Sequence, residues 1–330
     1  MNIEATSARQ SRLRANGVPH RLNGRPRVNG VLPARKRKRR REPDRFTLLP
    51  SFHSEPTREV RMQAGPERQA DRLTVAYHSS DVEIELSGRG ASLLTGAVES
   101  ELVIDGGTPQ RPCGDWQAVV WYSDGDCDYL ELQLAVTNSV RIDRQLLLAR
   151  RGHFAFIADA IVATQAARIE YQMRLPVAVG AAMRFDASTR EGRLRTPGRA
   201  ARVFPLGLPQ DRVLGTSGSF VDRDGRLVLT QIAARTAACV PIMLDWHPRR
   251  QRLPAEWRSL TVSENCHIVG SDRAAGFRLR MGAFQLLVYR SLAPTEEARA
   301  VLGYHTRYET VIGMFDATGE VEPLVMVEVD

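Results

Sequence analysis

Apolar and polar residues alternate with a period of two through most of the chain beyond Arg72. In "DVEIELS", Val82, Ile84 and Leu86 alternate with Asp81, Glu83 and Glu85, the pattern of a strand with one buried face. "LTVAYH", "SELVIDG", "WQAVVWYS", "DYLELQLAV", "ARIEYQMRLPVAV" and "AAMRFDA" share this texture. The connections are short and carry Gly, Asp, Asn or Ser, as in "SSD", "DGG", "SDGD" and "TNS". Later segments repeat the pattern: "GRLVLTQIAA", "AACVPIMLDW", "GFRLRMG", "AFQLLVYRSL" and "TVIGMFD". "DRDGR", Asp222 to Arg226, contains the Asp-Gly pair of a tight hairpin.

The densest apolar stretch is "VRIDRQLLLARRGHFAFIADAIV", Val140 to Val162. It reads as two strands around the polar break Arg150-Arg151-Gly152. Only Pro294 to His305 reads as a helix: a proline and two acids open it, and Gly303 stands near its end. Many short strands and almost no helix predict an all-β fold, a large antiparallel β-sandwich of the supersandwich kind.

Residues 1–60 carry neither periodicity and are rich in Arg, Pro, Gly and Asn. Such a segment cannot bury enough apolar surface to offset its ordering entropy, so it is expected to be disordered. The expected division is a tail over 1–60 and a sandwich domain over 61–330, with Met62 as an alternative translation start. Charge divides similarly. Residues 1–45 hold 14 Lys and Arg against 3 Asp and Glu, while the remainder holds 32 against 35. The net charge of +8 therefore resides in the tail. Its core is Arg35, Lys36, Arg37, Lys38, Arg39, Arg40 and Arg41, a run that would bind any polyanion in a salt-sensitive way. The near-neutral body offers no module for reading nucleic-acid sequence.

The four cysteines, Cys113, Cys127, Cys239 and Cys266, form no C-x-x-C pair and suggest a reduced, cytoplasmic setting. No apolar run reaches membrane-spanning length, and no secretory pattern opens the chain. No nucleophile-elbow, zinc-protease or phosphate-loop motif occurs. Asp124, Asp126 and Asp128 have the spacing of a calcium loop, but Tyr129 and Ala135 stand where the loop needs glycine and an acid, so an acidic hairpin is expected. No cofactor and no metal site is expected.

The Val140–Val162 stretch resembles the C-terminal β-sandwich of the heparinase II/III family, in which an Arg-bearing strand leads into a hairpin ending in an Asp-bearing strand. Arg144 and "FIADAIV" fit that outline. "HSSDVEIELSGRGASLLTG", His78 to Gly96, resembles the family's "HxHxD…LL…G" segment, with Ser79 where the second histidine would stand. The resemblance covers about residues 72–190. It implies a sandwich fold, and marks His78 and Asp81 as remnants of a cleft. In that family a helical toroid supplies the catalytic tyrosine, and the sequence before the first strand here cannot form one. The bland reading of "HSSD" is a polar turn.

A glycan-binding surface is the other candidate. Trp246 and Trp257 flank "HPRRQRLPAE", with Arg249, Arg250 and Arg258 nearby. Indole faces stack on sugar rings and guanidinium groups hold carboxylate or sulfate in a fork. Against this, Trp116 and Trp121 can equally be core residues, and arginine packs on tryptophan at a surface without any ligand. The expected function is a non-catalytic sandwich, structural or binding an acidic polysaccharide or other polyanion. The alternatives are a lyase-related enzyme on acidic glycans and polyanion binding through the tail.

Overall fold

The computed structural model describes residues 51–65 and 70–328. The run Arg35–Arg41 lies outside the described residues. Strands dominate throughout, and the one helical turn described is a 3-10 turn at Pro248–Arg250.

Five strands form the first layer: β1 (Phe52–Ser54), β2 (Glu59–Ala64), β3 (Asp71–Ala76), β4 (Val82–Gly88) and β5 (Ala91–Ile104), paired antiparallel in sequence order. The central sheet contains β6 (Gln117–Ser123), β7 (Cys127–Thr137), β8 (Val140–Ala149) and β9 (Phe154–Pro176). It continues through β10 (Ala182–Phe185), β11 (Gly192–Thr196), β12 (Arg199–Pro205), β13 (Ser219–Arg223) and β14 (Arg226–Asp245). β9 is the pivot. Its first half pairs with β8, its second half pairs with β5, and β14 lines its other edge throughout. The β9–β14 register slips between Arg235 and Ala237, a bulge in the long ribbon.

A third layer consists of β15 (Ala255–Leu260), β18 (Ala274–Met281), β19 (Phe284–Ser291), β22 (Thr310–Phe315) and β23 (Val321–Val327). A small sheet covers part of it: β16 (Val262–Glu264), β17 (His267–Ile268), β20 (Arg299–Val301) and β21 (Tyr304–Thr306).

This stacking explains the apolar run "FAFIADAIV". Ala155, Ile157 and Ile161 pack in the core shared with the first layer, while Phe154, Phe156, Ala158 and Ala160 pack against the third. A strand buried on both faces loses the polar half of its alternation.

Two expectations are corrected. Pro294 to His305 is not a helix but contains the β20–β21 hairpin. Leu302 and Gly303 both take positive φ, 48° and 79°, as a two-residue hairpin loop requires. Arg299, which a helix would expose, is fully buried and donates to Glu264, Ser291 and the Arg273 carbonyl. Strand pairing also begins at Phe52, ahead of position 61. β1 is held by polar anchors that carry no periodicity: Ser51 Oγ donates to Asp128 at 2.8 Å, and His53 meets the Tyr77 hydroxyl at 2.6 Å.

Candidate functional site

Arg144 and Asp159, on which the family resemblance rests, are cross-strand partners on β8 and β9. Arg144 Nε and Nη2 each donate to the Asp159 carboxylate at 2.8 Å. Tyr171 and Ser100 complete the set, and the guanidinium lies 4.7 Å from the Trp116 ring centre. Arg144, Asp159, Tyr171 and Trp116 are buried in the first core, while Ser100 is exposed and lines, with Trp116, the small cavity that Asp81 borders; the Arg144–Asp159 pair is a structural staple. The neighbouring Asp143 points to the opposite face. There it meets Arg290 of the third layer, together with Glu131.

His78 and Asp81 lie in an exposed turn. Ser79 bonds back to the backbone of Asp81, and Trp116 donates its indole N–H to the Ser80 carbonyl, a turn-stabilising arrangement. His78 has no side-chain partner among the described residues, and the two do not form an acid–base pair. Asp81 borders a small cavity of about 90 Å³. Asp124 is likewise a turn residue. Its carboxylate accepts from the backbone of Asp126 and Cys127 and from the Tyr122 hydroxyl, while Asp128 pairs with Arg150. Among the described residues no cluster suits a metal ion.

Trp246 and Trp257 are buried, and neither ring offers a face to a sugar. Trp257 donates to the Leu208 carbonyl and stacks edge-on against Phe204. Arg250 is buried as well, paired with Asp245 at 2.5 Å and lying over Phe284. Arg249 and Arg258 are exposed. The sequence-predicted set therefore splits into a core half and a surface half.

Around Trp246 the fold nevertheless assembles a polar corner from distant segments. The buried Asp71 carboxylate accepts from the Trp246 indole at 2.8 Å, from the Arg89 backbone at 2.7 Å and from His153 Nδ1 at 2.6 Å. His153 is left half-exposed, and its Nε2 has no hydrogen-bond partner among the described residues. The His247 ring lies 5.6 Å away. His247 Nδ1 accepts from the Arg249 backbone, and burial, aided by Arg250, lowers its pKa. No spacing in the sequence links Asp71, His153 and His247. Only the layer stacking brings them together.

From this corner a row of charged side chains crosses the central sheet. Asp245 on β14 is opposite Arg202 on β12, Arg202 opposite Arg193 on β11, and Arg193 opposite Arg184 on β10. Residues directly opposite share a face, so the row is continuous. Arg202 is buried and held in a fork by Glu191, with bonds of 2.7 and 2.6 Å. Further out the third layer no longer covers the sheet. Arg184, Arg193 and Arg195 form an exposed shelf on one face of the edge strands. Arg193 reaches Glu191 at 3.3 Å, while Arg184 and Arg195 have no partner among the described residues. The sequence does carry this signal, in the alternation "GRLRT", where Leu194 turns inward between Arg193 and Arg195.

No family model matches the chain, and no curated protein matches it. Among solved structures it is similar to the heparan sulfate lyase HepC from Pedobacter heparinus. A mutant form shows 11% identity, a TM-score of 0.53 and coverage of 78% of this chain and 44% of that one. A second form gives 11%, 0.52, 75% and 43%. A heparinase III with methylated lysines gives 9%, 0.51, 76% and 42%. The chain thus spans less than half the length of these structures. The likeness is one of fold, and it is the all-β fold that the Val140–Val162 stretch indicated.

Proposed function

We propose that this chain binds an acidic polysaccharide along the arginine shelf of β10 and β11, without cleaving it. The observation that carries the reading is the placement of Arg184 directly opposite Arg193, with Arg195 two residues on. Like charges facing each other across a strand pair destabilise a sheet by a few tenths of a kcal/mol or more. A sulfate or carboxylate lying between two guanidinium groups reverses the sign, because each can bind it in a fork. The fold supports the reading, since its structural neighbours include a heparan sulfate lyase. The tail run Arg35–Arg41 adds a second, non-specific and salt-sensitive attraction. The shelf takes over the glycan-binding role first assigned to Trp246 and Trp257.

A second reading is favoured by His153. An imidazole oriented by a buried carboxylate, with its other nitrogen open, is the arrangement of a general base. Beside it, Arg249 would neutralise a uronate carboxylate during β-elimination.

Heparin binding by the full chain and by Arg184→Ser/Arg195→Ser tests the first reading. The double variant should lose about tenfold in affinity or more, the ~1.4 kcal/mol expected for removing two charge-assisted contacts. Unchanged affinity would place binding elsewhere. Ultraviolet absorbance from unsaturated product, abolished by His153→Ala, would move the second reading to the front.

A further inference from the structure

The outer face of the third layer carries a second pair of facing arginines. Strand β15 is an edge strand, and the Trp257 backbone N–H points away from β18 to donate to Gln210 Oε1 at 3.1 Å. The alternation of an antiparallel ladder then turns the N–H and C=O of Arg258 toward β18, where its partner is Arg278. In such a hydrogen-bonded pair the α-carbons lie about 5.5 Å apart, and both side chains rise from one face. The other face is the core side, where Trp257, Phe277 and Leu279 are buried. Arg258 is exposed and Arg278 half-buried, so two guanidinium groups share one patch of surface.

No carboxylate among the described residues neutralises them. Gln285 Oε1 accepts from Arg278 Nε and Nη2 at 3.1 and 2.6 Å. That acceptor is uncharged. It fixes the plane of the guanidinium and leaves Nη1 without a partner among the described residues. Arg258 has no hydrogen-bond or ion-pair partner among them either. Arg280, two residues further along, reaches the Gly282 carbonyl of its own turn at 3.5 Å. The one acid in β15 and β18 is Glu256, which stands opposite Arg280 and forms no ion pair among the described residues.

Like charges directly opposite each other destabilise a strand pair, and an anion bound between them reverses the sign. The geometry narrows the anion. A carboxylate has two oxygens in one plane, and a single guanidinium fork occupies both. Two guanidinium groups on neighbouring strands, one already oriented by Gln285, call for a further oxygen outside that plane. We infer that Arg258 and Arg278 form a binding site for the tetrahedral oxyanion of a sulfate or phosphate ester, whose oxygens the two guanidinium groups share. The inference is independent of the arginine shelf, which lies on the central sheet and contains neither residue.

The test is arginine footprinting of the full chain with phenylglyoxal, read residue by residue by mass spectrometry, so that the tail and the shelf are scored separately. The probes are a heparin tetrasaccharide, the same sugar stripped of sulfate with its carboxylates retained, and glucose 6-phosphate. One or both of the esters should protect Arg258 and Arg278 together, and which of them does so names the source of the oxyanion. The desulfated sugar should protect neither. Arg258→Lys, an exposed change that keeps the charge and loses the fork, should raise the ligand concentration needed to protect Arg278 by about tenfold. A melting curve of that variant would show that the fold is retained. Three results would overturn the inference: no protection by either ester, equal protection by the desulfated sugar, or protection of Arg278 that Arg258→Lys leaves unaltered.

Discussion

Replacing Asp159 by alanine should destabilise the protein severely. Both partners of the Arg144–Asp159 pair are almost completely buried, at 1% and 0% side-chain exposure. The carboxylate accepts two bonds from Arg144 at 2.8 Å and one from Tyr171. Alanine leaves a buried guanidinium without its counter-charge, and Arg144 Nη1 already has no hydrogen-bond partner among the described residues. Breaking one side of such a pair costs about 3–5 kcal/mol. At roughly 2 °C per kcal/mol for a chain of this size, the melting temperature should fall by about 6–10 °C. The double replacement Arg144→Met/Asp159→Leu removes both charges together. It leaves the Tyr171 and Ser100 hydroxyls bonded to each other, each with one partner fewer, a cost of at most roughly 1–3 kcal/mol. Urea denaturation of the three proteins decides the matter. A double variant no more stable than Asp159→Ala, or a loss under about 1 kcal/mol for Asp159→Ala, would refute the assignment of this pair as a structural staple.

Thiol chemistry, pH and truncation give three further checks. Cys113 and Cys266 are exposed while Cys127 and Cys239 are buried, with burial pushing the Cys239 thiol up to about 12. A thiol reagent should therefore modify two cysteines in the native protein and all four after denaturation. His53 and His247 both have pKa values lowered from 6.5 by burial. The unfolded chain then binds more protons than the folded one as pH falls through and below 6.5, so stability should be complete above that value and decline beneath it. His247→Gln should flatten the decline, and a slope unaltered in that variant would argue against it. A chain beginning at Ser51 should melt like the full chain. One beginning at Met62 removes β1 and the buried Val60, and should lose several degrees.

The fold was legible because period-two alternation survives wherever one face of a strand is wet, as in Val82–Leu86. It stayed legible where both faces are buried, since the turn at Arg150–Gly152 opens "FAFIADAIV", although its far end runs on without a turn to Pro176. The helix expected at Pro294 to His305 failed because Gly303 reads equally well as a helix stop and as half of a hairpin loop, and only the burial of Arg299 against Glu264 decides between them. The candidate sites were less legible. Trp246 and Trp257 were weighed by residue type, but exposure is set by layers contributed by distant segments. Asp71, His153 and His247 lie in three separate strand connections or ends, and nothing local marks them. Arg193 and Arg195 went unmarked in the sequence, because their significance depends on Arg184 lying opposite Arg193 across the sheet.

The central claim is that the folded body, and not the cationic tail alone, recognises an acidic glycan. Its most direct test is the affinity of the chain beginning at Ser51 for a heparin oligosaccharide, measured beside the same chain carrying Arg184→Ser, Arg193→Ser and Arg195→Ser. The shelf predicts saturable binding that weakens by about two orders of magnitude in the triple variant, the equivalent of roughly 2.8 kcal/mol. It also predicts binding that retains a preference among glycans of equal charge. Binding that vanishes once residues 1–50 are removed, or that the triple variant leaves intact, would contradict it.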